Sequence, residues 1–398
     1  VKILWASNAP WCHSGYGNQT NLFWWRLQKL GHKVTIFANW GLSGAPLNVD
    51  EQGETAHVLP LGYSTHGNDI ISMHAEHTKA DIVITLYDAW VFDPSVTSRF
   101  RWVPWLPVDH EPCPPSVRDA VKAAWRPIAY SRFGERALRS AGLDPLYVPH
   151  GVDTTKFTIR PRERARKALR MDETLKRPIE DIDFLAVMVA ANKGLPSRKS
   201  FPEVLWVWRE FVKGHPKSAL YIHTHPGPQM AGLDLYGLLE DLQMPTGAVI
   251  FADAYWNVMG YTDSYMCDVY NAADVLLNPA QGEGFGIPIL EAQTCGTPVI
   301  VGDWTSMPEL CFAGWKVEGQ PFYTPQRSWQ FIPRHESIRA ALDQAYESRG
   351  DTAMRQKARA GAMAYDADLV TEQYWKPVLA QIEAEIAQPD NTLELVGA

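Results

Sequence analysis

The sequence predicts an α/β protein made of two consecutive parallel-sheet blocks. Three observations lead there. Short apolar runs of the kind that form buried strands alternate with stretches of helical periodicity, the rhythm of βαβ units. The alternation breaks at 149–157 (PHGVDTTKF) and then restarts. The chain has 398 residues, more than one ordinary domain of roughly 150 residues can use.

In the first block, strands are expected at 1–7, 33–39, 80–86, 102–108, 127–130 and 145–148. Pro104 and Pro107 interrupt the fourth, and Asp88 stands just past the third. A helix over 21–30 follows the turn Ser14-Gly15-Tyr16-Gly17-Asn18 and is stopped by Gly31. A short helix is expected over 116–125, with Arg118 and Lys122 on one side. The charged stretch 159–170 reads as a solvated helix or a linker. In the second block, strands are expected at 184–190, 219–223, 248–251, 275–277 and 298–301, with helices over 202–212, 234–242 and 287–295. Over 366–387, Val370, Tyr374, Val378 and Ile382 recur at helical spacing with no strand after them. Such an amphipathic helix has to lie against a body already folded. The last ten residues are expected to fray. The predicted division is therefore 1–157, 158–365 and 366–398.

Composition narrows the function classes. Apolar residues are 46% of the chain and charged ones 21%, which excludes a disordered chain, a collagen-like fibre and a coiled coil. The net charge of −8 argues against a protein that coats nucleic acid, since phosphate binding draws on Lys and Arg. Five cysteines (Cys12, Cys113, Cys267, Cys295, Cys311) show no close pair and no zinc spacing, so free thiols in a reducing cytoplasm are expected. The opening VKILWAS is a strand without a charged leader, and no signal peptide is expected. No apolar run approaches the roughly 18 residues of a membrane span. His74, His77, His223 and His225 lack a third ligand at fixed spacing, and structural roles are expected for them.

Chemistry concentrates in 281–302, QGEGFGIPILEAQTCGTPVIVG. Glycines at 282, 284 and 286 precede Pro288, a residue suited to a first helical turn because its missing N–H would be unpaired there anyway. A helix then runs to Cys295, where Gly296 ends it in a left-handed cap. Glycines allow close backbone approach, and a helix start offers free N–H groups with partial positive charge. That is an anion cradle. Glu283 precedes it and Glu291 is expected to point inward from the first turn. Carboxylates accept hydrogen bonds from hydroxyls, so a ligand carrying both phosphates and hydroxyl groups would satisfy every part.

The spacing Glu283-x7-Glu291 within EGFGIPILEAQTCGTPVI, preceded by YNAADVLLNPA (270–280), resembles the signature of the GT4 family, retaining glycosyltransferases of the GT-B fold. The resemblance implies two Rossmann-like parallel-sheet domains facing across a cleft. The first would be an acceptor-side domain and the second the nucleotide-sugar donor domain, with a C-terminal helix crossing back to the first. It implies that Glu283 contacts sugar hydroxyls and that Glu291 holds the ribose. Arg198 and Lys199, in ANKGLPSRK (191–199), would clamp the donor diphosphate, with Lys193 competing for the place of Arg198. Gly284, Phe285, Gly286 and Ile287 would bind the donor, and Gly15 and Gly17 would face its phosphates from the first domain. Asp109 or His110, in VDHEP (108–112), would orient the sugar and the acceptor. Ser131 and Arg132 would lie near the cleft, and Tyr255 near the nucleotide base.

The activity expected is sugar transfer from a nucleoside-diphosphate sugar to a hydroxyl, with retention and without a metal or other cofactor. A non-catalytic nucleotide-sugar-binding or scaffold protein of the same fold is the alternative. A glycan, protein hydroxyl, lipid, small molecule or modified nucleobase all remain open as acceptor. Stable nucleic-acid binding is not expected. Residues 1–157 carry as many acidic as basic side chains, so membrane contact is expected to be peripheral at most.

Overall fold

The structure is a computed structural model that describes residues 1–169, 181–229 and 231–388. Arg170 and the last ten residues, on which expectations were placed above, lie outside the described residues. Two sheets organise the chain. The first contains β1 (Lys2–Asn8), β2 (Lys33–Trp40), β3 (Leu47–Glu51), β4 (Glu54–Leu59), β5 (Ile82–Thr85), β6 (Trp102–Leu106), β7 (Ile128–Ala129) and β8 (Leu146–Tyr147). Their order is β3-β4-β2-β1-β5-β6-β7-β8, parallel except for the β3–β4 hairpin. The second contains β9 (Phe184–Val189), β10 (Ser218–His223), β11 (Val249–Phe251), β12 (Val275–Asn278), β13 (Val299–Gly302) and β14 (Gly314–Val317). It is parallel throughout, in the order β11-β10-β9-β12-β13-β14. In both sheets the central strands are runs of Val, Ile, Leu and Ala buried on both faces, as parallel sheets covered by helices require. Strand order reverses beside β1 and beside β9, and the strand ends at such switch points form the crevice where α/β proteins bind ligands.

A further hairpin, β15 (Gly319–Tyr323) with β16 (Trp329–Pro333), stands apart from both sheets. It reaches the first lobe: Glu111 and Trp329 exchange two backbone hydrogen bonds of 3.0 Å, and the Ser328 hydroxyl donates to the Pro112 carbonyl. This hairpin and β3–β4 were not expected. Their strands β3 and β15 are largely exposed, and Pro321 and Pro333 in the second hairpin read as strand breakers. Edge hairpins tolerate proline because one side of each strand needs no partner.

The tail departs from a regular helix in an informative way. Ala367–Val370 is α-helical, Thr371–Trp375 is a π turn, and Lys376–Ala387 is α-helical again. A π turn adds one residue to the loop of each hydrogen bond. The inward residue after Val370 is therefore Trp375 rather than the expected Tyr374, which is only half-buried. Trp375 is fully buried against Trp105 at 5.0 Å, Trp5 at 5.7 Å and Phe23 at 5.9 Å between ring centroids. Val378, Leu379 and Ile382 continue the buried stripe. Ion pairs of Asp368 with Arg26 (2.7 Å), Glu385 with Arg126 (2.7 Å) and Glu383 with the Val1 amino group (2.9 Å) line its edge on the first lobe. Pairs that stay in contact with solvent contribute little each, so the tryptophan is the main anchor of the tail. Among the described residues no helix is long and apolar enough to cross a membrane.

Removing the anchor tests this account. Trp375→Ala should cost about 3–5 kcal/mol, the usual range for an aromatic deleted from a core. A denaturation midpoint within error of the wild type would show that the tail is held otherwise.

Candidate active site

The helix Ile287–Thr294 starts after Gly286, whose φ of 102° is open to glycine at little cost, and has Pro288 in its first turn. The Ser306 hydroxyl donates to the carbonyls of Glu283 (2.8 Å) and Phe285 (2.9 Å). The loop is thus pinned through its carbonyls. The N–H groups of Gly284, Phe285, Gly286 and Ile287 have no partner among the described residues. A row of unpaired N–H groups at a helix start is a geometry that can take an anion. Gly284 is obligatory for a different reason: a Cβ there would lie 2.6 Å from the Pro107 side chain and 3.0 Å from the Tyr130 hydroxyl. The cradle therefore presses against the first lobe, and the Gly282 backbone touches the Asp109 carbonyl in the same way.

Glu283 is buried and forms ion pairs with Lys199 and with Arg198 (3.4 Å). Arg198 also donates to the Gly282 carbonyl and lies 3.7 Å from Asp109. Asp109 in turn holds Nδ1 of His110 at 2.7 Å. The structure thus brings Glu283, Arg198, Lys199, Asp109 and His110 into one cluster spanning both lobes. Burial pushes the Glu283 carboxyl up, but the cations Lys199 and Arg198 outweigh it and hold the group below its ordinary range. Asp109 behaves alike: burial raises it, and the His110 hydrogen bond with the charge of Arg198 brings it below normal. Burial lowers Lys199, against the pull of Glu283.

Glu291 has a different environment. It sits in the second turn of its helix, not the first as expected, and Tyr270 donates to its Oε2 at 2.6 Å in a buried setting. Burial, only partly offset by that hydrogen bond, pushes its carboxyl up to about 7. The same two helices bring Cys267 and Cys295, distant in sequence, to 3.7 Å between sulfurs.

The first-lobe residues divide. Ile287 touches the Gly15 position across the lobes, where a Cβ would lie 3.2 Å from its Cδ1. The N–H groups of Gly15 and Tyr16 have no partner among the described residues. Gly17 is otherwise engaged. Its N–H donates to the Ser14 hydroxyl (3.1 Å), and a Cβ would lie 2.2 Å from the Cys12 carbonyl. This glycine serves packing of the turn, with no group left for a ligand. The Phe285 side chain packs on His150 (5.1 Å) and Tyr130 (6.3 Å) between centroids, leaving only its N–H to the cradle. Ser131 caps the helix Arg132–Ser140, and the start of that helix is already filled from the second lobe: Glu309 accepts from the N–H groups of Arg132 (2.9 Å) and Phe133 (2.5 Å). Tyr255 is exposed on the helix Ala254–Met259, which Asp253 caps. A cavity of about 240 Å³ beside it is lined by Tyr221, Phe251, Ala252, Asp253, Tyr261 and Tyr265. Neither glutamate, nor Arg198 or Lys199, lines that cavity.

Sequence reasoning passed over Asp88 as a site residue. It lies after β5, and its carboxyl is within electrostatic range of Asp109, Arg198, Lys193 and His110. The charge of Lys193 is felt by both His66 and Asp88. The position just past a buried strand at its C-terminal end was the available signal. Three of the four candidate histidines hold local contacts: His74 with the Pro60 carbonyl, His223 with Tyr221 and His225 with the Gly227 N–H. No group of three or more His, Cys, Asp or Glu is placed to hold a metal among the described residues.

Two parallel-sheet lobes meeting at a glycine loop and a charged cluster have the GT-B architecture of glycosyltransferases. Comparisons with known proteins agree. Residues 239–330 match the family model described as Glycosyl transferases group 1. A D-inositol 3-phosphate glycosyltransferase of Gordonia bronchialis is 29% identical over 170 residues, 41% of this chain and 33% of that protein. One of Geodermatophilus obscurus is 30% identical over 174 residues, 40% of this chain and 33% of that protein. The match thus spans about a third of the length of these curated relatives. Among solved structures, sucrose-phosphate synthase from Thermosynechococcus elongatus superposes with a TM-score of 0.73 at 17% identity, covering 96% of this chain and 99% of that one. WaaG, a glycosyltransferase involved in lipopolysaccharide biosynthesis, gives 0.65 at 15% identity, covering 94% and 99%. The chain has the GT-B fold, and its second lobe is similar in sequence to the group 1 glycosyltransferases.

The raised Glu291 carboxyl has a measurable consequence. Between its ordinary value of 4.5 and about 7 the folded protein holds a proton that the unfolded chain has lost. Stability should therefore fall as pH rises across that window and level off above it. Glu291→Gln should flatten this part of the profile in melts at pH 4.5–8; an unchanged slope would place the titration elsewhere.

Proposed function

We propose that the protein is a retaining, metal-independent glycosyltransferase that moves a sugar from a nucleoside-diphosphate sugar to a hydroxyl. Residues 158–365 form the donor side and 1–157 the acceptor side. One observation carries the reading: Arg198, Lys199 and the unpaired N–H groups of residues 284–287 stand at one lobe boundary, where a departing diphosphate needs fixed positive charge. Preorganised donors aimed at developing charge are usually the largest contribution to such catalysis.

In this scheme the diphosphate replaces Glu283 as partner of the two cations, and Glu283 turns its ionised carboxylate to the sugar hydroxyls. The bond between C1 and the phosphate oxygen breaks, with its electron pair leaving on the diphosphate. The acceptor oxygen bonds C1 on the same face, and its proton passes to the departing phosphate oxygen. His110, held by Asp109, orients the sugar from the first lobe. Glu291 takes the ribose hydroxyls in exchange for Tyr270. The tyrosine-lined cavity after β10 and β11 receives the base, an assignment supported by its aromatic walls.

The names of the relatives and solved neighbours put sugar phosphates first among acceptors to try. Glycans, protein hydroxyls, lipids, small molecules and modified nucleobases follow. Five free cysteines support a reducing, cytoplasmic setting.

The test is a screen of nucleotide sugars for slow hydrolysis by the wild type, repeated with Arg198→Ala and Lys199→Ala. Each variant should lose about 10²–10³-fold in kcat, as when one oxyanion donor is removed, with circular dichroism unchanged. Folded variants that turn over the donor at the normal rate would overturn the assignment.

A further inference from the structure

The helices that carry Tyr270 and Glu291 meet a second time one turn further along. Cys267 and Tyr270 stand three positions apart on Asp263–Ala272, and Glu291 and Cys295 four apart on Ile287–Thr294 and its cap. Residues so spaced share one helix face. The same packing therefore pairs tyrosine with acid (2.6 Å) and thiol with thiol (3.7 Å). Both sulfurs belong to fully buried residues, and the chemistry proposed above uses neither. Cys12 and Cys113, by contrast, rest against the backbone carbonyls of Trp40 (3.3 Å) and Pro114 (3.8 Å). Cys267 is fixed from behind: the Asn271 amide nitrogen lies 3.4 Å from its sulfur and 2.8 Å from the Thr158 carbonyl, and Asn271 Oδ1 accepts from the Arg160 N–H at 2.7 Å. The two thiols are also unequal. The hydrogen bond from Cys295, with the charge of Arg160 and against burial, brings Cys267 down to about 7, whereas burial and the neighbouring sulfur push Cys295 up. One sulfur of the pair is thus prepared to attack and the other to stay protonated.

We propose that Cys267 and Cys295 are a redox-modification site, joined by hydrogen peroxide into a reversible disulfide that ties the two helices together beside Glu291. A disulfide needs its sulfurs at about 2.0 Å, so the pair closes by roughly 1.7 Å. Because both sulfurs are buried, the oxidant enters through local opening, which admits a molecule little larger than water and keeps bulky disulfides out. The Cys267 thiolate attacks one oxygen of the peroxide and the O–O bond breaks. The leaving hydroxide takes up the proton that the thiol had lost, giving water, and Cys267 is a sulfenic acid. The Cys295 sulfur then attacks Cys267, the S–O bond breaks, and hydroxide leaves with the Cys295 proton as a second water. Two thiols and one peroxide give one disulfide and two waters; the sulfurs lose two electrons and the peroxide oxygens gain them. The bond holds the helix of Tyr270 against that of Glu291. Under the transferase reading, on which this consequence alone rests, Glu291 has to exchange Tyr270 for ribose hydroxyls, so the oxidised protein binds donor less well.

The experiment treats the reduced, folded wild type with hydrogen peroxide, alkylates the remaining thiols after denaturation and maps the peptides by mass spectrometry. A linked pair carrying Cys267 and Cys295, two hydrogens lighter than its reduced parts and separated by dithiothreitol, is expected. Cys12, Cys113 and Cys311 should be recovered alkylated. Cys267→Ser and Cys295→Ala, each checked for fold by circular dichroism, should give no linked pair, and in Cys295→Ala the peroxide should add oxygen to Cys267 instead. Recovery of Cys267 and Cys295 both alkylated from the treated wild type would overturn the site. Hydrolysis of UDP-glucose and GDP-mannose is then measured on reduced, oxidised and re-reduced protein. The donor KM should rise about tenfold on oxidation, the equivalent of roughly one hydrogen bond, and return with dithiothreitol. Peroxide should leave the KM of Cys295→Ala within about twofold of its untreated value. A fully linked protein with an unchanged donor KM would overturn the coupling to Glu291. A wild type that hydrolyses neither donor would remove the transferase reading and the coupling with it, while the linked peptide would still decide the site.

Discussion

The contact on which the rest of the structure depends is the ionic bridge from Lys199 and Arg198 through Glu283 and Asp109 to His110. It is the place where the two lobes share charge. Taking several ions out of water is expensive, and only mutual pairing with well-placed hydrogen bonds returns that cost. Each partner therefore constrains the next. The Gln281 N–H bonds the Arg198 carbonyl at 2.7 Å, fixing the basic loop to the glycine loop. Glycines at 282 and 284 then let the first lobe come within contact distance. A packing requirement and an electrostatic one select the same short peptide.

Much of the architecture could be read in advance. Alternating β runs and helical stretches announced two parallel sheets, because strands buried on both faces must be uniformly apolar and each needs a helix to return. The hairpins could not be read, since the exposed strands β3 and β15 carry no such pattern and the β15–β16 pair contains prolines. The tail shows a subtler limit. A strict 3.6-residue period points to Tyr374, while one inserted residue turns Trp375 inward. Only the surrounding aromatic cage, assembled from residues 5, 23 and 105, determines which of the two is buried.

The site was legible where chemistry is local in sequence. The cradle at 284–287 and the acids at 283 and 291 announce themselves in one segment. Arg198, Lys199, Asp109 and His110 could be named because they follow strands in places where the GT4 resemblance assigns such groups. Their union into one cluster depends on how the lobes meet. Asp88 carried no motif, and only its neighbours give it meaning. Gly17 illustrates the opposite failure: a glycine in a suggestive turn proved to be required by the Cys12 carbonyl. Tyr270, the partner of Glu291, shows no sign of that role in the sequence, as nothing there ties a helix residue to an acid 21 positions away.

The hairpin β15–β16 gives the closed arrangement a particular character. Its backbone bonds to Glu111, together with the grip of Glu309 on the helix start at Arg132, fasten the lobes at two separated points flanking the charged bridge. Separating the lobes would therefore break these two sets of hydrogen bonds together with the charged bridge, so the three contacts act as one fastening.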